Sequence, residues 1–176
     1  DVGDIARVAD ALPEIAFHWV AVSAQDVPPE ARSLEEVTAV WRNSTKHVQT
    51  ESIVTAAEAA VAIEMAAAIA GGRDALRAHP VLSLMQCTIS PLAHDGGAID
   101  AGLVAAEAGV PVGYMTMASC AFSGPATVAG SLVVGNAEVI AALALMQLAY
   151  PGSPVYYAAA QTAIDLRSGA YTGGGP

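Results

Sequence analysis

"SCAFSGPATVAGSLVVGNAE", residues 119–138, is the stretch on which the fold turns. Most residues after Pro125 are Ala, Val, Leu or Ile, a run long enough to suggest a membrane span. Asn136 and Glu138 fall inside that run and no basic residue flanks it, which is the wrong pattern for a span. Pro125 suits the first turn of a helix, with Ser123 or Gly124 as its cap. Upstream lies "VPVGYMTMA" (110–118), with β-branched and aromatic residues, and downstream the turn "YPG". The stretch therefore reads as a buried crossover helix between two strands.

Working outward, the same alternation recurs. Strand-like stretches are "IAFHWVAV" (15–22), "VLSLMQCTI" (81–89), "VPVGYMTMA" and "PVYYAAA" (154–160), with a weaker one in "KHVQTESI" (46–53). None alternates cleanly between apolar and polar, so parallel strands buried on both faces are expected. Between them lie helical segments: one near residues 1–14, one opening at "SLEE" with Ser33 and Glu36 as a capping box, and one over 55–79 broken at Gly71-Gly72. A further helix over 97–108 is closed by Gly109. The repeat is roughly 30 to 40 residues, the spacing of βα units. A doubly wound sheet and a (β/α) barrel both suit this pattern. No strand is followed by GxGxxG or GxxxxGK[ST], so nucleotide binding loses its usual evidence. A full barrel needs about eight units in about 250 residues, and about five are present here. The 176 residues are expected to form part of a single barrel domain.

The net charge of -10 argues against nucleic acid and against an anionic membrane surface. Lys46 is the single lysine and the arginines are scattered. Cys87 and Cys120 lack CxxC spacing and read as reduced packing thiols of a cytoplasmic protein. The four histidines are far apart, without HxH or HExxH spacing, so no metal site is expected. The first residues carry acids and read as a helix rather than a signal peptide.

Residues 111–157 resemble the trimethylamine methyltransferase (MttB-like) superfamily. Gly124, Pro125, Thr127, Ala129 and Gly130 match its Gly-Pro-x-Thr-x-Ala-Gly motif, and Ala137-Glu138 its Ala-Glu pair. Gln147, Pro151, Gly152, Pro154 and Val155 match the "Q" before its "PG-PV" strand start. "NSTKH" (43–47) and "SPLAHD" (90–95) look like two further family blocks in the right order. The resemblance implies a TIM-type barrel and methyl transfer from a methylated amine to the cobalt of a separate corrinoid protein, with no cofactor bound directly. It further implies a central fragment of a longer chain, for which a glycine betaine-type member lacking pyrrolysine is the preferred expectation beside the pyrrolysine-bearing trimethylamine branch. The position that pyrrolysine occupies lies beyond Pro176, so these residues leave both branches open.

Demethylating a quaternary ammonium is an in-line displacement in which cobalt(I) takes the methyl carbon and a neutral amine leaves. No proton moves, so no catalytic acid or base is assigned. The protein must orient the cation, exclude water and admit the corrinoid. Aromatic faces and a carboxylate suit the cation, and in a barrel these come from carboxyl strand ends and the loops after them. The expected substrate-binding residues are Lys46, His47, Gln49, Glu51, His94, Ser123, Gly124, Tyr156 and Gln161. Ser123-Gly124-Pro125 offers backbone N–H groups to a substrate carboxylate. Glu138, about three turns into its helix, is expected to satisfy a buried polar partner or an interface, far from the mouth. The Ala- and Gly-rich helices suit packing against a second copy of the chain. Another small-molecule barrel enzyme, a lyase or isomerase, and a non-catalytic domain docking the corrinoid protein remain the alternative readings.

Overall fold

Asp1 accepts a hydrogen bond from the Asp4 amide (2.9 Å) and so opens the first helix, α1 (Val2–Ala11). There follow β1 (His18–Trp19), α2 (Pro29–Trp41), β2 (Val48–Thr50), α3 (Ala56–Ala70), α4 (Arg73–Ala78) and β3 (Leu82–Ile89). Then come β4 (Ala93–His94), α5 (Gly96–Ala108), β5 (Val112–Thr116), β6 (Ser119–Cys120) and α6 (Val128–Ala149). The chain finishes with β7 (Val155–Ala159), β8 (Thr162–Ile164) and β9 (Tyr171–Thr172). This computed structural model describes residues 1–172.

The main sheet has the order β1-β2-β3-β5-β7, every neighbouring pair parallel, with β4 added antiparallel to the end of β3. All five expected strands are present, side by side in chain order. A second sheet, β6-β8-β9, had no sequence signal and joins the segments that follow β5 and β7.

The sheet's two faces decide between the architectures. Val48, Leu82, Leu84, Val112 and Tyr114 share one face by register and are buried. They form one core with Val37 and Val40 of α2, Ala62 and Ala66 of α3, Ala101 and Ala105 of α5, and Val139 and Met146 of α6. Helices thus cover a single face, as in a barrel; a doubly wound sheet carries them on both. The structure is a run of parallel βα units forming part of a barrel-like sheet. The small side chains of α3 and α5 bring these helices close, and Gly102 on α5 leaves room for the Tyr114 hydroxyl, which a Cβ would approach to 2.3 Å.

Helix ends follow local chemistry. Thr55 caps α3, whose end is set by Gly71 at φ 91, where the break was expected. Asp95 accepts from the Ala98 amide (2.9 Å) to cap α5, and Gly109 at φ 76 closes it. Two expected starts move. The second helix begins at Pro29, because proline is pre-set for a first turn. Ser33 and Glu36 then lie inside the helix and turn inward: Ser33 donates to Glu58 (2.7 Å), while Glu36 accepts from the Ala24 amide (2.8 Å) and Ser52 (2.9 Å). The long helix α6 begins at Val128 rather than Pro125. Its cap is Thr127, which accepts from the Gly130 amide (3.1 Å), and not Ser123 or Gly124. One face of α6 packs on the sheet through Val139, Ala142 and Met146. Its opposite face, with Val133, Ile140 and Leu148, is exposed, so the expected burial holds for one side only.

Candidate active site

Parallel strands end together, so the segments after β2, β3, β5 and β7 emerge at one mouth. Two non-glycine residues with positive φ lie in loops here: Leu92 (φ 58) after β3 and Ala121 (φ 66) after β5. Such backbone costs about 1–3 kcal/mol per residue and clusters at functional sites.

The face of the sheet without helices carries two layers. Nearer the amino ends, His47 Nε2 lies 2.8 Å from Ser83 Oγ, and its Nδ1 lies 2.9 Å from the Pro80 carbonyl. Tyr156 extends across three strands. Its hydroxyl donates to the Leu84 carbonyl (2.9 Å) and accepts from Gln49 Nε2 (2.6 Å). This reach depends on Gly113, its partner on β5, where a Cβ would stand 2.1 Å from the ring. The Tyr156 ring is therefore the floor of the concave face. Burial pushes its phenol above the usual value, despite hydrogen bonds from Gln49 and Ser83, so it stays neutral.

Above this floor lies the layer of Cys87, Met115 and Ala158, paired across β3, β5 and β7. Glu51, just past β2, acts on the same layer: burial first, then the Glu51 charge, raises the Cys87 thiol. Cys87 thus remains a protonated thiol and a poor nucleophile. One carboxylate beside sulfur and aromatic surface suits a cation.

The expected residues separate into groups. Gln49 and Tyr156 meet on the concave face, and Glu51 lies close enough to Cys87 for its charge to act on that thiol. Lys46 and His47 do not lie at the mouth, since they precede β2 and emerge at the opposite end. Lys46 Nζ donates to the Ala9 (2.6 Å) and Leu12 (2.5 Å) carbonyls and so closes α1. His94 pairs with Thr88 and packs edge-on against Tyr114, ring centroids 5.9 Å apart, toward the helix layer. Ser123 accepts from the Ser119 amide (3.0 Å) and Gly124 donates to the Ser119 carbonyl (2.9 Å), tightening the turn after β6. Gln161 donates to the Ser131 carbonyl (2.7 Å), fastening the end of β7 to α6. Of the first-strand pair, His18 is buried and Trp19 is exposed on the concave side.

Glu138 is the residue whose position sequence reasoning missed. It does satisfy buried polar partners, as expected, but they belong to the mouth. Its carboxylate accepts from Thr88 (2.6 Å), Ser90 (2.9 Å), Thr116 (3.0 Å) and the Leu92 amide (2.8 Å). Burial alone would raise its pKa; the four hydrogen bonds outweigh that and hold it below the ordinary carboxylate value.

The family model described as trimethylamine methyltransferase (MTTB) matches residues 1–176. The chain belongs to this family. It is 33% identical over 168 residues to the trimethylamine methyltransferase MttB of Desulfitobacterium hafniense, covering 96% of this chain and 34% of that protein. It is 32% identical to MttB1 of Methanosarcina acetivorans over the whole of this chain and 36% of the relative. With the glycine betaine methyltransferase of Desulfitobacterium hafniense it shares 34% over 152 residues, 86% of this chain and 32% of the relative. The chain spans about a third of the length of the curated relatives it matches.

Among the described residues no group of three His, Cys, Asp or Glu could hold a metal ion. What the concave face does offer is one carboxylate, neutral sulfur and a fixed aromatic floor. These are groups for holding a cation while contributing no competing nucleophile.

Proposed function

We propose that the protein to which these residues belong moves a methyl group from a methylated amine or betaine to a separate corrinoid protein. The observation that carries this reading is membership of a family whose relatives are named as trimethylamine and glycine betaine methyltransferases. The chain is part of a single barrel domain, works in the cytoplasm and self-associates.

The methyl acceptor supplies the nucleophile: the corrinoid's cobalt(I) takes the methyl carbon as the C–N pair leaves with a neutral amine. The residues of this chain have three tasks. Glu51 balances the ammonium charge, and the Tyr156 face, held by Gln49, forms the floor beneath it. Cys87 and Met115 exclude water without competing for the methyl group. His94, Ser123, Gly124 and Gln161 shape the rim, and Lys46 and His47 brace the strands from the opposite end. Glu51 therefore serves to bind and orient the cationic donor, and the neutral amine that departs no longer has a charge for the carboxylate to hold.

The test mixes the full-length protein with a reduced corrinoid protein and either trimethylamine or glycine betaine. Methyl-cobalt absorbance that depends on the amine supports the reading. Turnover of the amine without corrinoid protein points to a lyase or isomerase and refutes it. Corrinoid-protein binding with no substrate-dependent change points to a docking domain and refutes it equally.

A further inference from the structure

We infer that Glu138 is a positioning residue that fixes the β3–α5 loop at the mouth and thereby sets affinity for the methyl donor, an inference that rests on the methyl-transfer reading. Glu138 is the single ionisable residue of α6 and is 2% exposed. A carboxylate buried on an apolar helix persists only where its oxygens are satisfied. Here the donors come from three places: Thr88 on β3, Ser90 and Leu92 in the loop, and Thr116 at the end of β5.

The two oxygens divide the work. One gathers the three hydroxyls; the other takes the Leu92 amide, which is turned toward it by a backbone at φ 58. The hydroxyls can reorient, but an amide N–H can only donate, so the Leu92 conformation needs an acceptor at this point. Without it, the strained Leu92 has nothing to offset its cost. Asp95 secures the far end of the same loop by capping α5. Glu138 therefore fixes the near end, and with it the height of the rim over the concave face. It does not touch the donor, since Thr88 and Thr116 share the register of the helix-facing side of the sheet.

The experiment compares Glu138→Gln, Ser90→Ala and Thr116→Val with wild type in the full-length protein. Glutamine can keep its oxygen on the Leu92 amide, but its NH2 then faces three hydroxyls that all donated to Oε2. Glu138→Gln therefore breaks the hold on Thr88, Ser90 and Thr116 and loosens the loop through Ser90 without leaving a cavity. Hydrogen exchange of the segment 89–95 is expected to rise at least tenfold in Glu138→Gln, while exchange in β5 changes little. KM for the methyl donor is expected to rise at least tenfold with kcat within about threefold. Ser90→Ala, which frees the loop alone, is expected to raise KM in the same direction. Thr116→Val, which removes a partner outside the loop, is expected to leave KM unchanged. Equal KM effects of Ser90→Ala and Thr116→Val, or an unaltered KM in Glu138→Gln, overturn the inference. If Glu138→Gln does not fold, the Ser90 and Thr116 pair still decides. If wild type moves no methyl group, the methyl-transfer reading fails, and unchanged exchange in segment 89–95 then separately overturns the loop-fixing role.

Discussion

Replacing Gly113 with alanine tests the concave floor directly. The added Cβ would stand 2.1 Å from Tyr156 Cε2 and 2.4 Å from two further ring carbons. Real contacts do not fall below 3.0 Å, so the ring must retreat by roughly 1 Å. That retreat stretches the bonds from Gln49 (2.6 Å) and to the Leu84 carbonyl (2.9 Å) beyond useful length. Two lost hydrogen bonds cost about 1–3 kcal/mol together. Overpacking adds about 1–3 kcal/mol, and the lower backbone entropy of alanine returns about 0.5–1 kcal/mol. The net expectation is a destabilisation of about 1–5 kcal/mol. Urea unfolding of the full-length protein should show a lower midpoint at unchanged slope. The same substitution in a Tyr156→Ala background should cost less than about 0.5 kcal/mol, because the clash has no partner there. An unchanged midpoint, or an equal cost in both backgrounds, would refute the placement of the ring.

Two other outcomes follow from charges near the mouth. Burial and then Glu51 raise the Cys87 thiol, so Glu51→Gln should speed alkylation of Cys87 by a neutral reagent at pH 8 by about two- to fivefold; peptide mass spectrometry separates it from Cys120, and an unaltered rate would contradict the proximity. Glu138 is lowered from its ordinary value of 4.5, so its stabilisation is fully present above that value and is lost as pH falls through the lower native one. Its partners Thr88, Ser90, Thr116 and the Leu92 amide do not titrate there, so Glu138→Gln should flatten the acid limb of stability below about pH 4.5; identical acid slopes in both proteins would exclude this.

The strands were readable because parallel pairing buries them, and the β-branched and aromatic residues of β3 and β5 mark that burial without periodicity. The break at Gly71-Gly72 and the closure at Gly109 were readable because positive φ selects glycine. The expected first strand over 15–22 shrinks to His18–Trp19, which pairs only with the short β2. Nearness in sequence misled at Lys46 and His47: β2 is three residues long, but those before and after it still emerge at opposite ends. The contact between Gln49 and Tyr156 spans 107 positions and depends on a missing Cβ at Gly113, so no local pattern announces it. Glu138 was visible as an acid in an apolar run, yet its height was misjudged. Helix α6 has 22 residues, about 33 Å, against about 17 Å for the five of β5. Its first turns overhang the mouth, and a residue ten positions in stands level with the strand ends.

The order β1-β2-β3-β5-β7 also bears on how the chain assembles as it is made. Each new strand meets a neighbour that has already left the ribosome, so the sheet can lengthen one edge at a time. The loop after β3 emerges well before the carboxylate that will hold it, since Leu92 precedes Glu138 by 46 positions. During synthesis the loop after β3 therefore lacks its carboxylate partner until α6 has been made and has docked.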